Sequence, residues 1–408
     1  MMQDMHIEGG SLADYYLEAY NMTAQIHDDD VSGTEQYHSF FGRANNDINS
    51  GVSDAAEEDS AASSSSSHSS CTEWFKTSPL IRCPPLPPPV ADTHGVELPP
   101  RYRICLLTEE YTDWIKALYS DGFLLRCTPW VAFSRAVPPG SSRRRLALRA
   151  FTELDAFHRY LVTSGLSYAI FDTEYMFERP GSAAAGGHLY WEDDGLATIG
   201  EEVEDEDAEV KRMIDGMDFP LVCHALSYDG FAPPPAEVQE AVAEFYPLRG
   251  PVFTYISQHL DTRPADHPDR QAPTEPNQVL MRHGCITKRG YEGRGLMTAL
   301  NRFVALEARA REFRGLSVGT NSPTVMRSYF FDNEDEGEKR RNPMAAAGMR
   351  SFVFAHVEDL CKYSLKDIGV EAEDGKEGAE VYPLRGHNLQ RQVWLIWCDL
   401  APPALLLL

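Results

Sequence analysis

The fold is decided by residues 278–320, which read QVLMRHGCITKRGYEGRGLMTALNRFVALEARAREFRGLSVGT. Residues 278–287 are apolar enough for a buried strand, and residues 296–313 place apolar side chains at the spacing of one helix face. A glycine then ends the helix, and residues 316–320 alternate as a second strand. This stretch therefore predicts a strand, a glycine turn, a helix and another strand in succession.

The turn in the middle of this stretch carries the strongest signal for a ligand. Residues 288–297 read KRGYEGRGLM, and their glycines remove Cβ atoms where the chain enters the helix. The first N–H groups of a helix lack partners and lie at the positive end of its dipole, so a diphosphate group gains several hydrogen bonds there. Lys288, Arg289 and Arg294 add positive charge. A tight connection without a ligand is the alternative, because a glycine pattern alone is weak.

Two common phosphate-binding motifs do not match this turn. A Walker A loop is excluded because no Gly-Lys-Ser/Thr follows, and a dinucleotide fingerprint would need glycine at Thr298. Another class of α/β nucleotide-binding enzyme is left open.

The rest of the pattern predicts a single folded domain over residues 97–408 after an arm over residues 1–96. The arm has three fixed cations against 15 carboxylates, with a serine tract and a proline run, which predicts disorder. The proline run is interpreted as a stiff linker, with an SH3 or WW partner as the alternative. Residues 181–218 indicate an acidic insertion, since residues 192–209 hold ten carboxylates and no cation. Further strands are predicted at 101–107, 167–177, 219–228, 251–256 and 392–398, and further helices at 108–118, 146–161, 236–245 and 351–365.

Composition limits the classes of function and location. The net charge of −25 argues against a general nucleic-acid binder, and the one compact basic run, residues 143–145, is predicted as a solvated loop. The cysteines are scattered and complete no zinc pattern, so no metal is expected. Since the sequence shows neither a signal peptide nor the ~20 apolar residues of a membrane span, we expect no membrane association and a cytoplasmic or nuclear location.

The segment Tyr291–Leu300, YEGRGLMTAL, resembles the GCN5-related N-acetyltransferase (GNAT) superfamily, whose members often read YRGRGLxxAL here. The resemblance implies an α/β fold with a GNAT-like mixed central β-sheet flanked by helices, to which this chain adds acidic insertions and a disordered N-terminal arm. It also implies acetyl-CoA or another acyl-CoA as the cofactor. In the best register Glu292 stands where the family has Arg or Gln, and Met297 stands at the last Gly/Ala position. In the alternative register Gly293 and Gly295 are the glycine pair, and Gly290 stands at the Arg/Gln position. A degenerate copy without activity is therefore the alternative to an enzyme.

The resemblance further implies an acyl-CoA-dependent N-acyltransferase in which an amine, of a small molecule or a protein, attacks the thioester directly. In the family the thioester lies between two splayed parallel strands, here 278–287 and 315–320. Tyr329 is the expected acid, with a core aromatic as the alternative. His283 is the expected base, with a surface or hydrogen-bonded histidine as the alternative and Glu174 as a weaker rival. The expected cofactor-binding residues are Ile286, Thr287, Glu292, Gly293, Arg294, Gly295, Leu296, Met297, Thr298 and Asn321.

Overall fold

The computed structural model describes residues 86–126, 133, 142–191, 205–264, 267, 270, 272–329, 349–364, 366–369 and 392–400. In chain order the strands are β1 (Tyr102–Leu106), β2 (Tyr168–Asp172), β3 (His188–Leu189), β4 (Met217–Asp218), β5 (Leu221–Asp229), β6 (Val279–Thr287), β7 (Gly315–Thr320), β8 (Arg350–Val357) and β9 (Val393–Asp399). The helices are α1 (Thr112–Ser120), α2 (Arg143–Glu153), α3 (Asp155–Thr163), α4 (Pro180–Ala185), α5 (Glu206–Asp215), α6 (Ala236–Phe245), α7 (Arg249–His259), α8 (Leu296–Ala310) and α9 (Pro323–Tyr329).

A seven-stranded sheet in the order β1-β2-β5-β6-β7-β9-β8 forms the centre of the domain, and β3 and β4 form a separate two-stranded ladder. The pair β6–β7 is parallel, while the other adjacent strands of the large sheet are antiparallel. Since α8 connects β6 to β7, it is the crossover helix that a parallel pair requires. The predicted mixed central sheet flanked by helices is therefore confirmed.

Each face of the sheet packs on its own hydrophobic core. One core joins alternate strand residues to α8 and α9, and Leu300, Phe303 and Val304 of α8 are fully or almost fully buried in it. The other core joins the opposite face to α1, α2, α3, α5, α6 and α7. The inward residues of α8 are those that the helical spacing predicts, because burial of one stripe of an amphipathic helix stabilises it on a sheet.

Two predicted elements have the wrong type. Residues 251–256, predicted as a strand, lie in the helix Arg249–His259, where Pro251 occupies the first turn and its missing N–H removes no helix bond. Residues 351–365, predicted as a helix, contribute to the strand Arg350–Val357, which pairs along β9. Residues 251–256 and the start of the other segment, residues 351–355, are short apolar runs, for which periodicity does not separate a helix from a strand.

The predicted helix 146–161 is two helices, α2 and α3, which break at Leu154 with φ −97° and ψ 16°. The basic run 143–145 is the first turn of α2 rather than a loop. Arg143 pairs with Glu206 and Asp207 of α5, and Arg144 pairs with Glu209 at 3.0 Å. The acidic segment thus neutralises the basic run within the chain.

The other predicted segments are described only in part. Residues 1–85 of the arm and residues 192–204 of the insertion lie outside the described residues. Residues 86–96 contact β1, since Val90 N donates to Ile104 O at 2.9 Å and Cys105 Sγ donates to Pro87 O at 3.4 Å. None of the helices in the described ranges has the length and apolar character that a membrane crossing requires.

Candidate active site

Strands β6 and β7 separate at their carboxyl ends. Their parallel pairing runs from Val279↔Gly315 to Arg282↔Val318 and ends there. Strand β6 then continues to Thr287, while β7 continues to pair with β9 on its other side. An opening between two parallel strands is the position in which the family resemblance places the thioester.

A β-bulge in β6 lies at the closed end of this opening. Gly284 pairs with Leu226 and Arg282 pairs with Ser227, so His283 is an extra residue on β6. A bulge takes one residue out of the regular ladder, and backbone N–H groups outside a ladder are suitable donors to a developing oxyanion. The bulge also puts His283 and Cys285 on opposite faces of the sheet, whereas simple alternation places them on the same face.

The glycine turn leads from β6 to an exposed helix start. Gly293 and Gly295 have φ of 74° and 75°, a region that favours glycine, and a Cβ added at either would meet nothing within 4 Å. Helix α8 begins at Leu296, and Gly295 provides no side-chain cap for it. Residues 292–295 are exposed. The first N–H groups of α8 are therefore accessible to an anion.

A cluster of ions borders this turn. Arg126 Nη1 lies 2.9 Å from Glu292 Oε1, and Arg126 Nη2 donates to Asp121 Oδ2 at 2.6 Å and to Thr287 O at 2.8 Å. Arg289 Nε donates to the other oxygen of Asp121 at 2.8 Å. The structure thus brings Arg126 onto the carboxylate of Glu292 at the glycine turn. No spacing in the sequence predicts this residue.

The three cations expected at the turn differ in position. Arg294 is exposed at the turn and donates to Tyr102 Oη at 3.0 Å and to Gly290 O at 2.6 Å. Lys288 is 7% exposed and points into the domain, so its expected role at a phosphate is wrong. Its Nζ donates to Met217 O at 2.7 Å and to Phe219 O at 2.9 Å, and burial lowers its pKa to about 7.

The turn is anchored to strand β2 through Asp172. The buried carboxylate accepts from Tyr291 Oη at 2.8 Å and from both Nε and Nη2 of Arg101, at 2.7 Å and 2.5 Å. Burial acts to raise the pKa of Asp172, but the hydrogen bonds from Arg101 and Tyr291 outweigh it, and the pKa is lowered. The anchor fixes the entry to the glycine turn.

His283 lies on the face of the sheet covered by α1 and α3. Its ring contacts that of Phe157 at 4.4 Å and stacks on Tyr119 at 6.2 Å between centroids. Its Nε2 is buried, with no hydrogen-bond partner in the described part of the chain. Burial, together with Arg249 and two nearby histidines, lowers the pKa of His283 well below its usual value. The imidazole is therefore neutral at neutral pH and is a weaker base than an ordinary histidine.

Tyr329 lies at the end of α9, on the opposite face from His283. Its side chain is fully buried, and burial raises its pKa above the usual value while the nearby Arg282 opposes this rise. The phenol therefore keeps its proton at neutral pH. The structure does not bring Tyr329 and His283 together, but places them on the two faces of β6 near the opening.

A buried polar network connects β6, α8 and α9. Arg282 is 6% exposed, and its Nη2 donates to Asn301 Oδ1 at 2.9 Å and contacts Cys285 Sγ. Asn301 Nδ2 donates to Ser328 Oγ at 2.9 Å. No local pattern predicts this network, and its one visible signal in the sequence is a charged residue within the apolar run VLMRHGCI.

The remaining predicted residues line the same region. Ile286 is buried against Gly122, where an added Cβ would lie 2.4 Å from Ile286 Cδ1. Leu296 is buried, and Met297 and Thr298 are partly buried in the first turn of α8. Asn321 is partly buried just after β7. Among the described residues no cluster of His, Cys, Asp or Glu has a geometry suited to a metal ion.

No protein-family model matches the chain, and no curated protein matches it. Solved structures similar to it include the C-terminal condensation domain of Ebony in complex with beta-alanyl-dopamine, at 13% identity, 72% and 97% coverage of the two chains, and a TM-score of 0.39. A mosquito arylalkylamine N-acetyltransferase like 5b is 8% identical, with 72% and 98% coverage and a TM-score of 0.37. The Drosophila melanogaster polyamine N-acetyltransferase is 10% identical, with 72% and 98% coverage and a TM-score of 0.35. These values are too low to carry an argument on function. Within the described residues, the mixed seven-stranded sheet, its one parallel pair β6–β7 and the glycine turn between them are the fold features that the resemblance of residues 291–300 implies.

Proposed function

We propose that the protein is an acyl-CoA-dependent N-acyltransferase that transfers an acyl group, such as acetyl, to a primary amine. The observation that carries this proposal is the opening between β6 and β7, which continues directly into an exposed and uncapped helix start. A phosphate site at one end of a cleft between strands suits a long ligand with a diphosphate at one end.

The residues at the turn fit the diphosphate of coenzyme A. The N–H groups at the start of α8 supply donors, and the open space at Gly293 and Gly295 lets phosphate oxygens approach the backbone. Arg294 and Arg126 supply positive charge beside them. When bound, the coenzyme supplies an acyl group activated as a thioester.

The amine is expected to approach from the face that carries His283. An alkyl ammonium has a pKa of about 10.4, so it must lose a proton before it attacks a thioester. The lowered pKa of His283 makes full transfer of that proton to its imidazole unfavourable, so we assign His283 the role of a hydrogen-bond acceptor for the amine while the proton passes to water. The rings of Phe157 and Tyr119 form the wall beside it. Aromatic rings stabilise a cation that enters a partly dry site.

Tyr329 is expected to act on the leaving group from the other face. Its raised pKa means that transfer of its proton to a thiolate, whose ordinary pKa is about 8.5, is unfavourable. A hydrogen bond from the phenol to the thiolate stabilises the same charge without that transfer. We therefore assign Tyr329 the role of hydrogen-bond donor.

Titration calorimetry with coenzyme A and acetyl-CoA tests the proposal. Gly295→Asp is expected to abolish binding, because it adds both a side chain and a negative charge at the helix start. Gly295→Ala isolates the effect of the side chain. Gly95→Asp is the matched control, since Gly95 has a φ of 71° and open space around its Cβ position. The proposal fails if wild-type protein binds neither ligand at millimolar concentration, or if Gly295→Asp binds as well as wild type.

A second candidate is a fold of this type without activity. It is favoured by Glu292 at the phosphate turn and by the complete burial of Tyr329. Release of free thiol from acetyl-CoA in the presence of a panel of primary amines separates the two. Turnover that falls in Tyr329→Phe while coenzyme A still binds would exclude the inactive alternative.

A further inference from the structure

Arg282 is a buried cation without a counter-ion. A guanidinium stays charged inside proteins, and burial of a charge is costly unless an opposite charge or several acceptors compensate it. Among the described residues no carboxylate pairs with Arg282, and the neighbours that its Nη2 meets, Asn301 and Cys285, are polar but not ionised carboxylates. Its Nε and Nη1 are buried with no hydrogen-bond partner in the described part of the chain.

Another buried arginine shows what a structural role looks like in this protein. Arg263 is 8% exposed, a burial similar to that of Arg282. Its Nη2 lies 2.7 Å from Asp261 Oδ2, and its Nε lies 3.0 Å from Oδ1 of the same carboxylate. The contrast indicates that the hydrogen-bonding and charge partner of Arg282 is a group that the protein itself does not supply.

The position of Arg282 identifies which part of a ligand would meet it. Arg282 is the last residue of β6 that pairs with β7, so it lies at the closed end of the opening. It directly precedes the bulge at His283, and it is close enough to Tyr329 to affect its pKa. A ligand held by its diphosphate at the glycine turn would bring its acyl end to this point.

We infer that the acyl group carries a carboxylate, so that the preferred donor is a coenzyme A thioester of a dicarboxylic acid, with Arg282 as the residue that binds the free carboxylate. This inference rests on the proposed function and narrows its substrate class. A carboxylate offers two acceptor oxygens to unused N–H donors, and it neutralises the buried charge. An acetyl group leaves both donors without a partner.

Titration calorimetry with matched ligands tests this inference. Malonyl-, succinyl- and glutaryl-CoA cover the length of the acyl group, butyryl-CoA is the uncharged counterpart of succinyl-CoA, and coenzyme A has no acyl group. We expect at least one of the three dicarboxylic thioesters to bind tenfold or more tightly than butyryl-CoA and acetyl-CoA. Arg282→Met should remove this preference and leave the affinity for coenzyme A within twofold of wild type.

Two further variants keep the result interpretable. Arg282→Lys retains the charge and should retain part of the preference, and Cys285→Ser changes a neighbour without changing charge and should retain all of it. Should Arg282→Met not fold, the ligand series on wild-type protein and on Arg282→Lys still decides. Equal binding of butyryl- and succinyl-CoA, or tightest binding of coenzyme A itself, would overturn the inference while the proposed function stands. Absence of binding by every one of these ligands would overturn both.

Discussion

Lys288 makes the stability of the fold depend on pH in a direction that the structure determines. Burial lowers the pKa of its ammonium group from the ordinary 10.5 to about 7 in the folded chain. The unfolded chain keeps the ordinary pKa, so between these values it binds up to one more proton than the folded chain. The free energy of unfolding therefore rises with pH across this window, and this contribution is lost as pH falls through about 7.

The size of the change in unfolding free energy follows from the width of the pH range between the folded and unfolded pKa values of Lys288. Each pH unit within it contributes up to about 1.4 kcal/mol, or roughly 3 kcal/mol between pH of about 7 and about 9.5. Lys288→Met removes the titrating group and also the hydrogen bonds to Met217 O and Phe219 O, which lowers stability. The stability difference between wild type and variant should therefore widen by about 3 kcal/mol over that range.

Urea denaturation at a series of pH values measures this difference. Lys211→Met is the matched control, because the side chain of Lys211 is 74% exposed and pairs with Asp215 at the surface. We expect no widening for the control. Parallel stability curves for wild type and Lys288→Met would refute the assignment of a lowered pKa to this buried lysine.

Three other substitutions test separate parts of the structure. Glu292→Gln removes the carboxylate that Arg126 holds and should tighten coenzyme A binding about threefold to tenfold at low salt, with a smaller gain as ionic strength rises; calorimetry that shows no gain would argue against a phosphate at this turn. Gly315→Ala places a Cβ 1.9 Å from Trp397 Cζ2 and should cost about 1–3 kcal/mol in urea unfolding, since the ring has to move. Asp172→Asn should lower stability by about 1–3 kcal/mol at neutral pH. Because the pKa of Asp172 is lowered, wild type itself loses this contribution as pH falls, so the two proteins should converge in acid; a constant gap would contradict this.

The part of the fold that sequence reasoning predicts well is the part in which local signals agree. From Val279 to Thr320 the apolar spacing, the glycines and the ends of the elements all indicate one arrangement, and the structure has it. Helix α7 and strand β8 were predicted with the wrong type because their sequences fit both. Pairing with β9 determines β8, and a contact between segments so far apart leaves no local pattern.

The candidate site likewise contains one part that local sequence predicts and other parts that depend on contacts between distant segments. The glycine turn is local, so the exposed backbone at Gly293 and Gly295 follows from composition alone. Arg126 contacts Glu292, which is 166 positions away in the chain. Arg282 contacts Asn301 of α8, which in turn contacts Ser328 of α9. Burial and charge pairing of this kind depend on packing, and the sequence indicates only that a charge interrupts an apolar run.

The bulge at His283 changes which residues of β6 lie on the same face of the sheet. Up to Arg282, side chains two positions apart on β6 lie on the same face of the sheet. After it this rule fails, because one extra residue shifts the alternation of every residue that follows. Arg282 and Cys285 therefore face the same helix although they are three positions apart. Deletion of the single residue 283 should remove the bulge, restore simple alternation along β6, and leave residues 284–287 and the glycine turn on the faces they have now.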